Sequence, residues 1–262
     1  MEMVVCIKQV PDTTEVKIDP VTNTLIRQGV PSIVNPFDKN AVEAALQLRE
    51  QHGGKVTVIS MGPPQAKDAL KECIAMGADE AILISDRAFG GADTLATSYT
   101  LATAIEKLGK YDVIICGKQA IDGDTAQVGP EIAEHLGIAQ LTYVAKMSID
   151  GATVVAEREH EDGYQTIETK MPVLVSVIKS AEYEPRFPSV RGTMKANKAN
   201  IPVWTAADLQ ADEKRIGLQG SPTKVSKIFS PPRRTQGVLI HKETARENVA
   251  ELLGKLAEAK IV

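Results

Sequence analysis

The sequence predicts an α/β fold: an open parallel sheet with helices on both faces, an antiparallel extension and an extended C-terminal arm. Three observations predict it. Short β-branched runs alternate with longer helical patterns through the first half of the chain. Those runs are apolar without alternation, as strands covered on both faces are. Beyond about residue 138 the pattern changes to strand-like runs joined by turn signals.

The elements follow in order. Met3–Ile7 (MVVCI), Lys55–Ser60 (KVTVIS), Ala81–Ser85 (AILIS) and Asp112–Cys116 (DVIIC) read as four buried strands. Three helical segments separate them. Ala41, Ala44, Ala45 and Leu48 share a face in the first; Ala66, Ala69, Leu70 and Cys73 in the second; Leu95, Tyr99, Ala102 and Ile105 in the third. Spacings of three and four suit an amphipathic helix. The order is Rossmann-like, of the kind that holds nucleotides. Leu141–Ile149, Thr153–Arg158, Gln165–Lys170 and Pro172–Ile178 form the expected antiparallel extension, with turns at Asp150-Gly151 and Asp162-Gly163. Ser180–Pro188 carries little periodicity. Residues 211 to 236 are polar and Pro/Gly-punctuated, suiting either a disordered segment or an arm on another subunit. From Lys242 to Ala259 an amphipathic helix returns, with Val249, Leu252, Leu253 and Leu256 in one stripe. The expected division is 1–205 for the α/β domain and 206–262 for the arm and its helix.

Composition excludes several functions. The 262 residues carry a net charge of −4 with both signs scattered, and only 4% are aromatic. Neither a basic surface nor a stacking platform for nucleic acid is implied. Cys6, Cys73 and Cys116 lie far apart without metal-ligand spacing and read as reduced buried thiols, with no metal expected. No apolar stretch approaches the ~18 residues needed to insert in a bilayer, and MEMVVCIKQV does not resemble a secretory signal. A cytoplasmic protein is expected.

In an open parallel sheet, ligands bind beyond the carboxyl ends of the strands. After the fourth strand runs Gly117-Lys118-Gln119-Ala120-Ile121-Asp122-Gly123-Asp124-Thr125-Ala126-Gln127-Val128-Gly129-Pro130. Gly117 and Gly123 allow close backbone approach. Asp124 and Thr125 suit the cap of a following helix, whose free N–H groups attract phosphate. Pro130 suits its first turn. Thr125 and Gln127 add neutral donors. The alternative is an ordinary polar loop, since neither a Walker A loop nor G-x-G-x-x-G is present. Asn35 precedes Pro36, so it is biased to extended geometry and its amide can face a ligand; Phe37 and Asp38 otherwise read as a staple and a cap. Lys8–Asp12 follows the first strand and Met61-Gly62-Pro63-Pro64 the second. His52, His135, His160 and His241 have no catalytic partner in view, and Glu161-Asp162-Gly163 reads as a β-turn. No catalytic residues are expected. The pattern points to a cofactor carrier, where the chemistry belongs to the cofactor.

Together these segments resemble the beta subunit of electron-transferring flavoproteins over nearly the whole chain. The matching pieces are KQVPD (Lys8–Asp12), NPFD (Asn35–Asp38), AMGAD (Ala75–Asp79) and GKQAIDGDTAQVGP (Gly117–Pro130). They continue with the stretch Arg158–Val177, EPRFPSVRGTMKA (Glu184–Ala196) and PPRRTQG (Pro231–Gly237). The resemblance implies an adenine nucleotide held by this subunit and an alpha subunit carrying a redox FAD. Nucleotide contacts would fall on Cys6, Asn35, Pro36, Phe37, Asp38, Met61 and the run Gly117–Val128. A partner-recognition loop would span Glu184–Lys195, with Val190 as the apolar plug for an acyl-CoA dehydrogenase. Phe187 and Val190 beside Arg186, Arg191 and Lys195 make an apolar tip in a basic frame, with Met194 among the expected partner contacts. Charge then steers and a small anchor holds; the alternative is a solvated loop.

Family members hold either AMP or a second FAD in this place. The second FAD takes a hydride from NADH and splits the pair between ferredoxin or flavodoxin and the alpha-subunit FAD. Where AMP-holding members tend to carry an acidic, crowded loop, this chain has the small Gly123 and Ala126 and the apolar Val128; that resembles the members with room for a pyrophosphate, so the resemblance implies FAD as the expected cofactor and AMP as the alternative. Two other nucleotide-binding classes fit less well. A stress-protein module would carry G-x-x-G-(x)9-G-[ST] after the fourth strand, and an ATP-pyrophosphatase-type synthetase an SGGxDS-like loop after the first; neither is present.

Overall fold

The computed structural model describes residues 1–12, 31–226 and 237–262. These divide into two compact units, Met1–Ser226 and Lys227–Val262. A nine-stranded sheet lies in the first unit, with uninterrupted apolar runs at its centre and the more polar strands Ala139–Asp150, Thr153–His160 and Gly163–Lys170 at one edge. Its strands are β1 (Glu2–Cys6), β4 (Lys55–Met61), β5 (Glu80–Ile84), β6 (Val113–Gly117), β7 (Ala139–Asp150), β8 (Thr153–His160), β9 (Gly163–Lys170), β10 (Val173–Val177) and β11 (Val203–Trp204), in the order β11-β5-β4-β1-β6-β10-β7-β8-β9. A separate antiparallel pair, β2 (Gln9–Pro11) with β3 (Ser32–Val34), lies where the sequence suggested only a loop.

β1 lies between β4 and β6, parallel to both, with Cys6 opposite Ile59 and Cys116. Helices cover both faces, as expected. α1 (Pro36–His52) and α2 (Lys67–Met76) pack their alanine-rich sides with Val5, Val58 and Ile115 on one face. α3 (Thr94–Leu108) and α4 (Val128–Leu136) pack with Val4, Ile59 and Ile114 on the other. In α3 the buried stripe differs from the expected one: Leu95 stays 42% exposed while Ala96, Leu101 and Ala104 are buried beside Ala102 and Ile105. Tyr99 turns instead to Arg215 and His135.

The antiparallel extension is smaller than the sequence suggested. β7, β8 and β9 form hairpins at one edge, with turns after Asp150 and His160. β10 does not belong to them. It lies between β6 and β7, parallel to both, fully buried. The run VLVSV has no polar alternation, which marks a strand covered on both faces. At the opposite edge β11 adds parallel to β5. Three short helices complete the first unit's side: α5 (Val190–Lys198), α6 (Ala206–Leu209) and a single turn at Glu213–Arg215. Residues 206–226, expected in the arm, belong to this unit, because Leu209 and Ile216 are buried in the α3/α4 core. In the second unit α7 (Ala245–Glu258) starts at a capping box of Thr244 and Glu247 and has no buried residue. The PPRRTQG stretch lies outside the described residues except for Gly237. Among the described residues no helix is long and apolar enough to cross a membrane.

Candidate functional site

Strand order places the site. From β1 the chain moves outward through β4 and β5, then crosses back to β6 on the other side of β1. That reversal opens a crevice at the carboxyl ends of β1 and β6, the place where open α/β sheets hold ligands. Cys6 and Gly117 end the two strands.

Asp38, in the first turn of α1, ties the two ends together. It is 6% exposed. Its Oδ2 accepts the Lys8 N–H at 2.7 Å and its Oδ1 the Gly117 N–H at 3.2 Å. Burial pushes the Asp38 carboxyl up to about 7, against the pull of its hydrogen bonds with Asn35, Lys8 and Gly117. Only glycine fits at 117: a Cβ there would stand 2.7 Å from the Phe37 backbone and would also meet Asp38. Phe37 and Asp38 thus pack on the end of β6, and neither caps α1, whose N-cap is Asn35.

Asn35 organises the loop that follows. Its Nδ2 donates to the Gln119 carbonyl at 2.8 Å, and its Oδ1 accepts the Ile121 N–H at 3.2 Å. The amide expected to face a ligand thus bonds to the loop backbone instead, because two unpaired peptide groups lie within its reach. Ala120 to Asp124 then turns back on itself through an Asp124 N–H to Ala120 carbonyl bond of 2.8 Å. Asp124 and Ala126 take φ of +51° and +55°, left-handed conformations that a side chain adopts only under constraint. Among the described residues the N–H groups of Thr125, Ala126, Gln127 and Val128 find no acceptor.

Neither Asp124 nor Thr125 caps the next helix. α4 begins three residues further on, with Gln127 at its N-cap and no side-chain cap bond. Gly129 seats this helix end against β6, since a Cβ there would stand 2.7 Å from the Cys116 Sγ. Pro130 falls in the first turn, as expected. The α4 N-terminus, with no side-chain cap, and the N–H groups before it have the general character that attracts phosphate.

The two acidic side chains of the loop are tied down. Asp122 pairs with the Lys8 ammonium at 2.6 Å, and Asp124 accepts from Gln119 Nε2 at 2.8 Å. Thr94 Oγ1 lies 3.1 Å from both Gln127 Oε1 and Glu131 Oε1, binding the α3 start to the loop. Cys6 and Cys116 are buried; desolvation pushes the Cys6 thiol up to about 12 and raises Cys116 well above its ordinary value, so both stay protonated. Met61 ends β4, the strand beside β1, and is half-buried.

Lys8, which heads the loop read after the first strand, joins that loop to Asp122 of the loop after β6. One group escaped the sequence reading. Tyr143 takes φ +58°, donates its N–H to Ser176 Oγ at 3.3 Å and lies under the Lys118 ammonium at 4.6 Å. It sits where two residues of β7 oppose one of β10, a bulge that no local pattern announces.

A second surface flanks α1 and α2. Ser189 caps α5 by accepting the Gly192 N–H at 2.9 Å. Phe187, Val190 and Met194 stand 93%, 81% and 58% exposed. Glu184 and Arg191 are exposed beside them. Two expected members of the basic frame are engaged inside the molecule. Lys195 Nζ donates to the Ala78 carbonyl at 3.0 Å. Arg186 is bound to Glu43 and Glu50 of α1.

A protein-family model described as "Electron transfer flavoprotein domain" matches residues 22–209. The chain is 57% identical over 258 residues to the "Electron transfer flavoprotein subunit beta" of Clostridium acetobutylicum, covering 98% of each. The chain belongs to the electron transfer flavoprotein beta-subunit family. The protein of the same name from Megasphaera elsdenii is 54% identical over the full length of both chains. The "Caffeyl-CoA reductase-Etf complex subunit CarD" of Acetobacterium woodii is 50% identical, also at full length. A flavoprotein beta subunit of this family is concerned with electron transport and pairs with an alpha subunit.

Proposed function

We propose that this chain is the beta subunit of a bifurcating heterodimer, holding FAD in the β1/β6 crevice. The observation that carries the reading is the row of unpartnered amides from Thr125 to Val128 at the start of α4. A diphosphate offers acceptors to several such donors at once. Lys8 and Gln119 withdraw the charge of Asp122 and Asp124 from the phosphate. Asn35, Asp38 and the packing of Gly117 hold the loop before ligand arrives, which lowers the ordering cost of binding. Cys6, Pro36, Phe37 and Met61 supply the apolar walls beside them.

When bound, FAD would accept a hydride from NADH and pass its electrons singly, to ferredoxin or flavodoxin and to the FAD of the alpha subunit. The exposed Phe187, Val190 and Met194 then serve as the anchor for the acceptor, an acyl-CoA dehydrogenase, with Arg191 as a charged neighbour. The name of the Acetobacterium relative, which places that protein in a complex with a caffeyl-CoA reductase, supports a partner acting on CoA esters.

Coupling is the test. Anaerobic heterodimer given NADH and ferredoxin should reduce ferredoxin only when the dehydrogenase and its acyl-CoA substrate are also present, because the uphill electron needs a downhill one. NADH oxidation without any ferredoxin reduction under those conditions would count against bifurcation and favour the AMP-holding alternative.

A further inference from the structure

Asn40, Glu43, Gln47 and Glu50 follow one another at spacings of three, four and three along α1, and so share one side of the helix. That side is polar, while the alanine-rich side meets the sheet. All four residues bind the chain just before the exposed apolar tip, directly or through Arg186. Asn40 Nδ2 donates to the Tyr183 carbonyl at 2.7 Å, and Gln47 Nε2 to that of Glu182 at 3.0 Å. Arg186 donates to both oxygens of Glu43, from Nε and Nη2, each at 2.8 Å. It also reaches Glu50 from Nη1, and its own backbone N–H meets Glu43 at 3.2 Å. Tyr183 is held from behind as well, its hydroxyl accepting the Met147 N–H at 2.7 Å.

Arg186 is the residue immediately before Phe187. A surface arginine seldom satisfies its fork so completely, and Glu43 is buried at 5% side-chain exposure. We propose that this stripe of α1, acting through Arg186, is a positioning device that fixes the direction in which Phe187, Val190 and Met194 are presented to the acceptor. The inference rests on the docking reading given above. A braced loop reaches the interface already ordered, so the association loses less conformational freedom than a loose loop would. α1 also supplies Asn35 through Asp38 at its other end, so one rigid helix orders both surfaces.

The test uses the assembled heterodimer with dehydrogenase as the varied substrate. Arg186→Lys keeps the charge but not the fork. It should raise KM for the dehydrogenase about tenfold, the factor that 1.4 kcal/mol represents, with turnover at saturation and bound nucleotide retained. Hydrogen exchange across 187–195 should quicken. Glu50→Gln, at the exposed end of the brace, should do the same to a smaller degree, and it decides the matter if the lysine variant does not assemble. Either variant melting at lower temperature with KM unchanged would overturn the proposal in favour of a merely structural brace. Val190→Asp separates the two readings: if it leaves KM unchanged, the docking reading itself falls, and the inference with it.

Discussion

Asp38 shows how a single residue type can mislead and inform at once. An aspartate in the first turn of a helix reads as a dipole partner, and it is one. Its larger role, joining two strand ends, involves Lys8 and Gly117, respectively 30 and 79 positions away, which no local pattern reveals. Burial has a pH consequence. With its carboxyl raised to about 7 in the folded chain, against about 3.9 unfolded, the native state holds this proton more tightly. Its contribution to stability therefore falls as pH rises from about 4 to about 7 and is flat above. Compared in urea from pH 5 to 8, Asp38→Asn should gain on the native protein up to about pH 7. A gain by the native protein over that interval would contradict the assignment. Gly123 gives a sharper test of the diphosphate. Nothing lies within 4 Å of a Cβ placed there, so Gly123→Glu should fold. It brings bulk and charge beside the phosphates, so the beta-subunit flavin should be lost and the alpha flavin kept. Retention of both would refute the placement.

At the level of elements, the sequence was legible where burial was simple. The strands β1, β4, β5 and β6 and the helices α1, α2 and α3 are all recognisable in the sequence, because period and length separate apolar strands from amphipathic helices. β10 was misplaced by adjacency: it follows two hairpin strands in the chain, yet its unbroken VLVSV belongs at the centre of the sheet. β2 and β3 were missed, each only three residues long and joined across residues outside the described structure. The α3 stripe shifted because that helix meets α4 as well as the sheet, and Tyr99 faces a side the sheet does not see. The polar stripe of α1 carries no local sign of its partner, since Arg186 lies more than 130 positions on. Reading Arg186 as a steering charge followed from its neighbours; the structure assigns it to α1.

For the whole molecule, the crevice follows from topology. Reversal of strand order about β1 leaves room that no single loop creates, and the glycine-bearing loop after β6 lines it. The same sheet, through α1, carries the exposed apolar tip, so the crevice and the tip belong to one compact unit. The bifurcating function we propose requires the Thr125–Val128 amides to hold the diphosphate of FAD. Its most direct test is to release the bound nucleotides of the co-expressed heterodimer by heat and quantify them. Two FAD per heterodimer and no AMP is the predicted result; one FAD with one AMP would contradict it.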